Sequence, residues 1–424
     1  MTKKSKFVSF ICAMGFVFVV GFVLGGGGYI WATLPKHEFL TSEKLSETFI
    51  NKEAPTAEQP KVGLDTHTSG GDDSLDVKAD IAVSEAGISI HFLELGNKYT
   101  GDCTFIQTDT CDILIDCGSK ATSVPYVRKY LEQYMGNDKT LEYVIITHAH
   151  EDHYAGFATT KFEDSIFGLF ECKNIIYFSQ TNQKPTSTKY KNFKKNLAQE
   201  DEDSADVFTA QECIEDPVTW KDKSISSDGS VRMNILNSIY YQEKKAATEN
   251  DYSVCTLFTY QSANCSAHNY LFTGDLEKEG EDELVKRNVL PQVDLYKAGH
   301  HGSKTSSNET LMKQVKPKVI CVCCCAGSPE YTKNINNQFP TQDFIDRVGI
   351  WTADIYVTSL CVDYANNKFE SFNGNIIFMA RGDGYNMLFS NNATRLKDSE
   401  WFNRIITDNG VTRKMRTWPV NEKT

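Results

Sequence analysis

The sequence predicts an α/β fold of short strands with its functional site at the strand ends. Three observations carry this. From residue 88 onward, short runs rich in Val, Ile, Phe and Cys alternate with turns bearing Gly and Asp. Between two of these runs, SVPYVRKYLEQYM places Val127, Tyr130, Leu131 and Tyr134 at the spacing of one helical face, and Gly136 stops it. The apolar strand that follows, LEYVIITHA, runs directly into a cluster of imidazoles and carboxylates, ITHAHEDHYAG, and α/β proteins place their ligands at strand ends.

The chain opens with the basic stretch MTKKSK, and the segment from Phe7 to Leu34 carries no charge. That length crosses a hydrocarbon core of about 30 Å. Lys3, Lys4 and Lys6 outnumber the nearby Lys36, so residues 1–6 are expected in the cytoplasm and the rest outside. No A-x-A pattern follows the apolar run, which makes 7–34 a retained transmembrane signal anchor; cleavage would instead release a secreted protein. Residues 35–86 mix Lys, Glu, Thr, Ser, Gly and Asp, as in HTSGGDDSLD, and read as a flexible stalk.

A single folded domain is expected over 87–395. Its strands are ISIHFLEL, CTFIQT, ILIDCG, LEYVIITHA, NIIYFSQ, VRMNILN, SVCTLFTY, NYLFTGD and VDLYKAG, and a helix lies in KEGEDELVKRNVL. KPKVICVCCCA, DIYVTS and the hairpin GNIIFMARGDGYNMLFSNN close the sheet, leaving 396–424 as a C-terminal tail. Cys321, Cys323, Cys324 and Cys325 read as small hydrophobes of a buried strand, since neighbours on a strand face opposite ways. Residues 180–228 break the pattern. KPTSTKYKNFKKN is either a basic, aromatic surface for a phosphate-rich substrate or a solvated excursion screened by the acidic QEDEDSAD after it. The formal net charge of −12 supplies no general attraction to nucleic acid.

Divalent metals need neutral imidazoles and carboxylates converging on one point, and His148, His150, Asp152 and His153 offer four donors in six positions. On an extended segment His148 and His150 can face one ion, while the turn after them aims Asp152 and His153 at a second.

THAHEDH resembles the HxHxDH signature of the metallo-β-lactamase superfamily, and companion motifs follow in order. ILIDCG before it and YLFTGD and KAGHHGS after it match the superfamily's companion motifs, and LELGNKYTGDCTFI resembles its glycine-Asp loop with a small insertion. Over residues 88–390 the chain is similar to the extracellular β-lactamase-like domain of ComEC competence proteins and to phosphorylcholine esterase. The resemblance implies an αββα sandwich holding two divalent metal ions, Zn with Mn or Fe as alternatives. It implies His148, His150, Asp152, His153, Asp275 and His301 as ligands, with Asp275 bridging, and Asp116 orienting a ligand histidine from behind. Asp152 would also orient the attacking water, and His300 would contact a phosphoryl oxygen or protonate the leaving group.

Two positions depart from the pattern. The superfamily commonly supplies a further histidine between the first cluster and the bridging Asp. Here only His268 lies there, seven residues before Asp275 and about 23 Å away along an extended strand. Phe339 stands in NNQFP where ComEC-like domains carry a histidine. The expected function is a membrane-anchored, outward-facing metal-dependent phosphodiesterase or nuclease acting on a phosphodiester, DNA included. The alternatives are an acyl or lactone hydrolase on the same fold and a catalytically weakened binding module.

Overall fold

A computed structural model describes residues 85–420, apart from 185, 204, 244 and 409, together with the strand at 67–69. Among the described residues no helix is long and apolar enough to cross a membrane. The anchor expected at 7–34, and all of the 35–86 stalk except 67–69 and its last two residues, lie outside the described residues.

Among the described residues, nineteen strands form two large sheets and a hairpin. The first sheet begins with β1 (His67–Ser69), β2 (Ile88–Phe92), β3 (Thr104–Gln107), β4 (Asp112–Ile115), β5 (Thr140–Ile146), β6 (Glu171–Tyr177) and β7 (Asp206–Thr209). The second contains β8 (Lys223–Ser224), β9 (Val231–Ile235), β10 (Thr256–Tyr260), β11 (His268–Phe272), β12 (Leu295–Lys297), β13 (Val319–Ala326), β14 (Asp354–Asp363) and β15 (Lys368–Ser371). The chain then returns to the first sheet through β16 (Ile376–Arg381) and β17 (Gly384–Phe389), and ends in the hairpin β18 (Ile405–Asp408) and β19 (Val411–Lys414). Strand order is β1-β17-β16-β2-β3-β4-β5-β6-β7 in one sheet and β15-β14-β13-β12-β11-β10-β9-β8 in the other. In each, an antiparallel meander leads into parallel strands: β4 to β7 in the first sheet, β11 to β14 in the second.

Alternation along the strands sets the layers. On β2, Phe92 stacks on Phe272 of β11, with ring centroids 6.2 Å apart, so this face meets the second sheet. The intervening His91 points the other way, onto Tyr130 and Tyr134 of α1 (Val124–Met135). On β13, Val319, Cys321 and Cys323 join the core between the sheets. Ile320, Val322 and Cys324 instead pack with α3 (Lys278–Arg287), α4 (Glu309–Val315) and α5 (Gln342–Val348). The α/β architecture with helices outside two facing sheets is as the sequence predicts. The cysteines are small buried hydrophobes, each side chain worth roughly 1–2 kcal/mol of transfer free energy by its size.

Two segments differ from expectation. KPTSTKYKNFKKN enters α2 (Thr188–Asp203), whose Phe193 is fully buried against Tyr154 and Phe178 while Lys191 and Lys195 stay exposed. Lysines at 191, 194 and 195 interrupt the apolar pattern, and the few apolar positions that remain suffice to dock one face. Beyond 395, Leu396, Trp401, Phe402 and Met415 pack into the second core, and the buried Arg416 donates to the carbonyls of Ile335, Gln338 and Pro340. The segment set apart as a tail is therefore packed onto the domain.

His91, on β2, is fully buried. Its Nδ1 lies 2.9 Å from the Tyr130 hydroxyl and its Nε2 2.9 Å from Ser89 Oγ, and burial pushes its pKa down to about 3. A folded-state pKa below the unfolded one gives stability that is complete above about pH 6.5 and lost as pH falls towards 3. Urea unfolding at pH 7 and pH 5 is expected to show wild type losing about 2 kcal/mol more than His91→Gln over that interval.

Candidate metal centre

The site is built at the carboxyl ends of parallel strands from both sheets. β4 delivers Asp116, β5 delivers Thr147 and His148, β11 delivers Asp275, and β12 delivers His300 and His301. A one-turn helix, Glu151–Tyr154, starts straight after the β5 end and turns Asp152 and His153 back over it. The loop between β2 and β3 is tied to this helix by Asp102 N–H to Asp152 O at 3.0 Å and to the segment after β4 by Gly118 N–H to Asp102 O at 2.8 Å. Gly118 is required there, because a Cβ would overlap the Asp152 carbonyl.

All of the residues expected to ligate metal are brought into one connected cluster. His153 Nε2 is 3.1 Å from Asp275 Oδ2, and His301 Nε2 is 3.3 Å from the same oxygen and 3.4 Å from Asp152 Oδ2. His148 Nε2 lies 3.0 Å from His150 Nδ1, and the His148 and His153 ring centroids are 4.2 Å apart. His148, His153, Asp275 and His301 are buried, while His150 is half-buried at the mouth.

Each buried imidazole is aimed by a partner on its Nδ1. Asp116 Oδ2 lies 2.7 Å from His153 Nδ1 and accepts from Thr147 Oγ1 at 2.7 Å, and its other oxygen accepts from Thr147 N–H at 2.8 Å. His301 Nδ1 faces the Cys323 carbonyl at 2.9 Å and Asp102 Oδ1 at 3.3 Å. Thr147 Oγ1 and Ser253 Oγ lie 3.1 Å and 3.3 Å from His148 Nδ1. Holding a histidine through Nδ1 fixes its tautomer and presents Nε2 forward.

His300 stands apart from this set. Its backbone is left-handed, with φ 45°, as is that of His301 at φ 54°, and the two rings diverge to centroids 6.1 Å apart. His300 Nδ1 lies 3.1 Å from Thr305 Oγ1 and 3.4 Å from Glu277 Oε1, on the outer side of the cluster. His268 does not reach the site: it pairs with Asp294 at 3.2 Å. Ser253 occupies the gap instead, accepting from the Asp275 N–H at 3.0 Å while touching His148.

Sequence reasoning missed Asp102, Lys297 and Tyr331. Asp102 is the Asp of the glycine-Asp loop, and Lys297 is a charged residue in an otherwise apolar strand, a signal that was available. Lys297 is buried and its ammonium pairs with Asp102 Oδ2. Asp102, His153, Asp275 and His301 lie close enough together to bind a single ion. Asp102, however, faces His301 through Nδ1 and is already matched by Lys297, so its place is behind the imidazole. Asp152, on the Nε2 side, is the better fourth donor. The Tyr331 hydroxyl donates to Asp152 Oδ2 at 2.7 Å.

The donor set fits a divalent cation. His153 Nε2, His301 Nε2 and Asp275 Oδ1 are buried without a well-aligned hydrogen bond among the described residues. Buried polar atoms left open in this way cost about 1–3 kcal/mol each. Although burial alone would lower it, Asp275 and Asp116 hold His153 well above the usual imidazole range; Asp275 and Asp102 do the same for His301. The cluster thus calls for positive charge at its centre. Burial, with His153 and His150 nearby, pushes His148 well below its ordinary value and keeps it neutral, the form that ligates metal.

Asp116→Asn should weaken metal binding by about 10–100-fold in a titration with the far-ultraviolet spectrum unchanged, because it loosens only the aim of His153. Lys297→Met should destabilise the fold by about 3–5 kcal/mol in urea, since it strands the buried Asp102 carboxylate; adding Asp102→Asn should restore most of the loss.

Residues 96–163 match the Metallo-beta-lactamase superfamily. ComE operon protein 3 of Bacillus subtilis is 46% identical over 56 residues, which are 13% of this chain and 7% of that protein. Recombination protein 2 of Haemophilus influenzae is 40% identical over 103 residues, 24% of this chain and 12% of that protein. The matched segments are thus a small part of either relative. Among solved structures, the metallo-beta-lactamase fold protein YhfI from Bacillus subtilis is similar at 12% identity over 64% of this chain and 95% of its own, with a TM-score of 0.34. CmlA, a diiron β-hydroxylase from Streptomyces venezuelae, is similar at 10% identity over 57% of this chain and 46% of its own, with a TM-score of 0.32. The segment that carries His148, His150, Asp152 and His153 matches the metallo-β-lactamase superfamily, and the chain's sequence relatives are ComEC-like.

Proposed function

We propose that this protein is a metal-dependent phosphodiesterase, anchored to the membrane by residues 7–34 with the domain facing outward, and that its substrates include nucleic acid. The observation that carries the reading is the convergence of His148, His150, Asp152, His153, Asp275 and His301, with the Nε2 atoms of His153 and His301 facing Asp275. His148, His150 and Asp275 would hold one ion, and Asp152, His153, Asp275 and His301 the other. Ions held there supply Lewis-acid charge to a phosphoryl group.

The chain's own residues supply the rest. His300 lies outside the ligand set beside Glu277 and Thr305, where its imidazole can meet a phosphoryl oxygen or the leaving group. Around Glu151 the rim is basic and aromatic: Lys189 and Lys120 lie 3.5 Å and 3.9 Å from its carboxylate. Lys120 also sits 5.1 Å from the Tyr99 ring centre, and Lys98 4.0 Å from that of Tyr364. Such a rim suits a substrate with both phosphates and flat rings. It is this rim, rather than Tyr190 and Phe193, that favours a phosphodiester over the acyl or lactone alternative.

The test is hydrolysis of bis-p-nitrophenyl phosphate by the purified chain, with elemental analysis alongside. Activity is expected with one to two bound ions per chain, abolished by a chelator, restored by Zn or Mn, and reduced at least about 100-fold in the His148→Ala/His150→Ala variant. Less than one ion and no hydrolysis would leave the binding-module reading standing.

A further inference from the structure

The loop between β13 and α5, residues 327–341, crosses the solvent side of the cluster. The Arg416 guanidinium holds its far end through the carbonyls of Ile335, Gln338 and Pro340, and at the near end the Thr100 N–H donates to Glu330 Oε2 at 2.9 Å, tying the loop to the glycine-Asp segment opposite. Phe339, standing where the resemblance leads one to expect a histidine, lies over both neighbouring imidazoles, with ring centres 5.7 Å from His300 and 5.8 Å from His301. Tyr331 packs beside it at 5.7 Å. The residue is 56% exposed, yet its hydroxyl reaches inward to Asp152 Oδ2 at 2.7 Å.

That combination sets Tyr331 apart from the other groups around the centre. Strand ends and the Glu151–Tyr154 turn form the floor of the cluster, and a phosphoryl group entering beside residues 327–341 passes Tyr331. An anion seated against Asp152, Asp275 and His301 then lies within one hydrogen bond of the Tyr331 oxygen, which already sits that far from Asp152. Asp152 does not need the phenol to be held, since its backbone is fixed by the Asp102 N–H and its carboxylate lies 3.4 Å from His301 Nε2. A carboxylate shared with a cation is a weaker acceptor than a free one, so the phenol can turn from it to a better partner.

We propose that Tyr331 is a catalytic residue whose hydroxyl donates a hydrogen bond to a non-bridging oxygen of the substrate's phosphoryl group as charge builds on it. This rests on the phosphodiesterase reading and names the group that meets the substrate opposite the ions. A donor aimed at developing charge is worth about 100-fold or more in rate.

The experiment compares the full-length chain with Tyr331→Phe, a change that keeps the ring and removes only the donor. Three readouts are taken: bound metal by elemental analysis, inorganic phosphate binding by calorimetry, and kcat and KM on bis-p-nitrophenyl phosphate. Expected are unchanged metal content, phosphate binding weakened about tenfold, and kcat lowered about 100-fold with KM changed far less. Unchanged kcat and phosphate affinity would overturn the proposal. So would a loss of metal in step with the loss of activity, because Tyr331 would then act only through Asp152. If wild type binds phosphate more tightly than the variant but hydrolyses no phosphodiester, the substrate reading fails and the Tyr331 contact stands. If wild type does neither, both fall.

Discussion

The hydrogen-bonded junction around the Asp116 carboxylate is the constraint on which the centre depends. One oxygen takes the backbone N–H of Thr147, and the other takes the Thr147 hydroxyl and faces His153 Nδ1. With these contacts the end of β4, the end of β5 and the turn carrying Asp152 and His153 become one rigid piece. Asp116 adopts a left-handed backbone, φ 58°, to bring its side chain there, a conformation that costs a non-glycine residue about 1 kcal/mol or more. The short polar side chain, satisfied on both oxygens, offsets that strain. A longer or apolar residue would lose both the backbone geometry and the aim of the imidazole.

Charge explains why the surrounding residues are what they are. Asp102, Asp116, Asp152 and Asp275 all lie at the base of the site, three of them buried almost completely. Each buried ion costs several kcal/mol unless it is matched. Lys297 matches Asp102, and burial alone would lower its pKa, but Asp102 and Asp275 hold it above the usual lysine range. His153 and His301 match Asp116, Asp152 and Asp275 by keeping their protons. A divalent ion between the two Nε2 atoms would take over that role, so binding of the ion and folding of the domain are coupled through the same carboxylates.

Much of this was legible in the sequence because chemistry and local pattern coincided. HAHEDH sits between an apolar strand and a glycine, so its exposure to a site, not merely its composition, could be read, and Asp275 and His301 also end apolar strands. The helix α1 and the core strands of both sheets were legible from the pattern, whereas β1, β7, β8 and β15, short strands at or next to the sheet edges, were not. What stayed hidden depended on tertiary partners. Asp102 lies in a loop whose polar composition gives no direction, and only the fold turns it under His301. Tyr331 is one aromatic residue in a loop, and nothing local distinguishes it from a surface tyrosine. In α2 the lysines masked a single docking face, because Phe193 and Leu197 bury the helix with few apolar positions. His91 was missed for the converse reason: a histidine on an apolar strand is legible as buried only once Tyr130 and Ser89 are known to receive it.

The donors at the centre are shared unequally, and the inequality traces to one position. The side built from β11, β12 and the Glu151–Tyr154 turn offers two imidazoles and two carboxylates with contacts of 3.1 to 3.4 Å. The other side has His148 and His150, with Ser253 touching His148. A serine cannot replace an imidazole as a donor to metal, yet it is not a neutral filling. By accepting the Asp275 N–H and touching His148 Nδ1, it couples the carboxylate common to both sides to the imidazole of the poorer one. The same hydroxyl packs where a side chain on Gly274 would collide with it, so the tight Gly274-Asp275 turn and Ser253 require each other. The Ser253 hydroxyl is therefore a structural link between the two sides, joining the Asp275 backbone to the His148 imidazole.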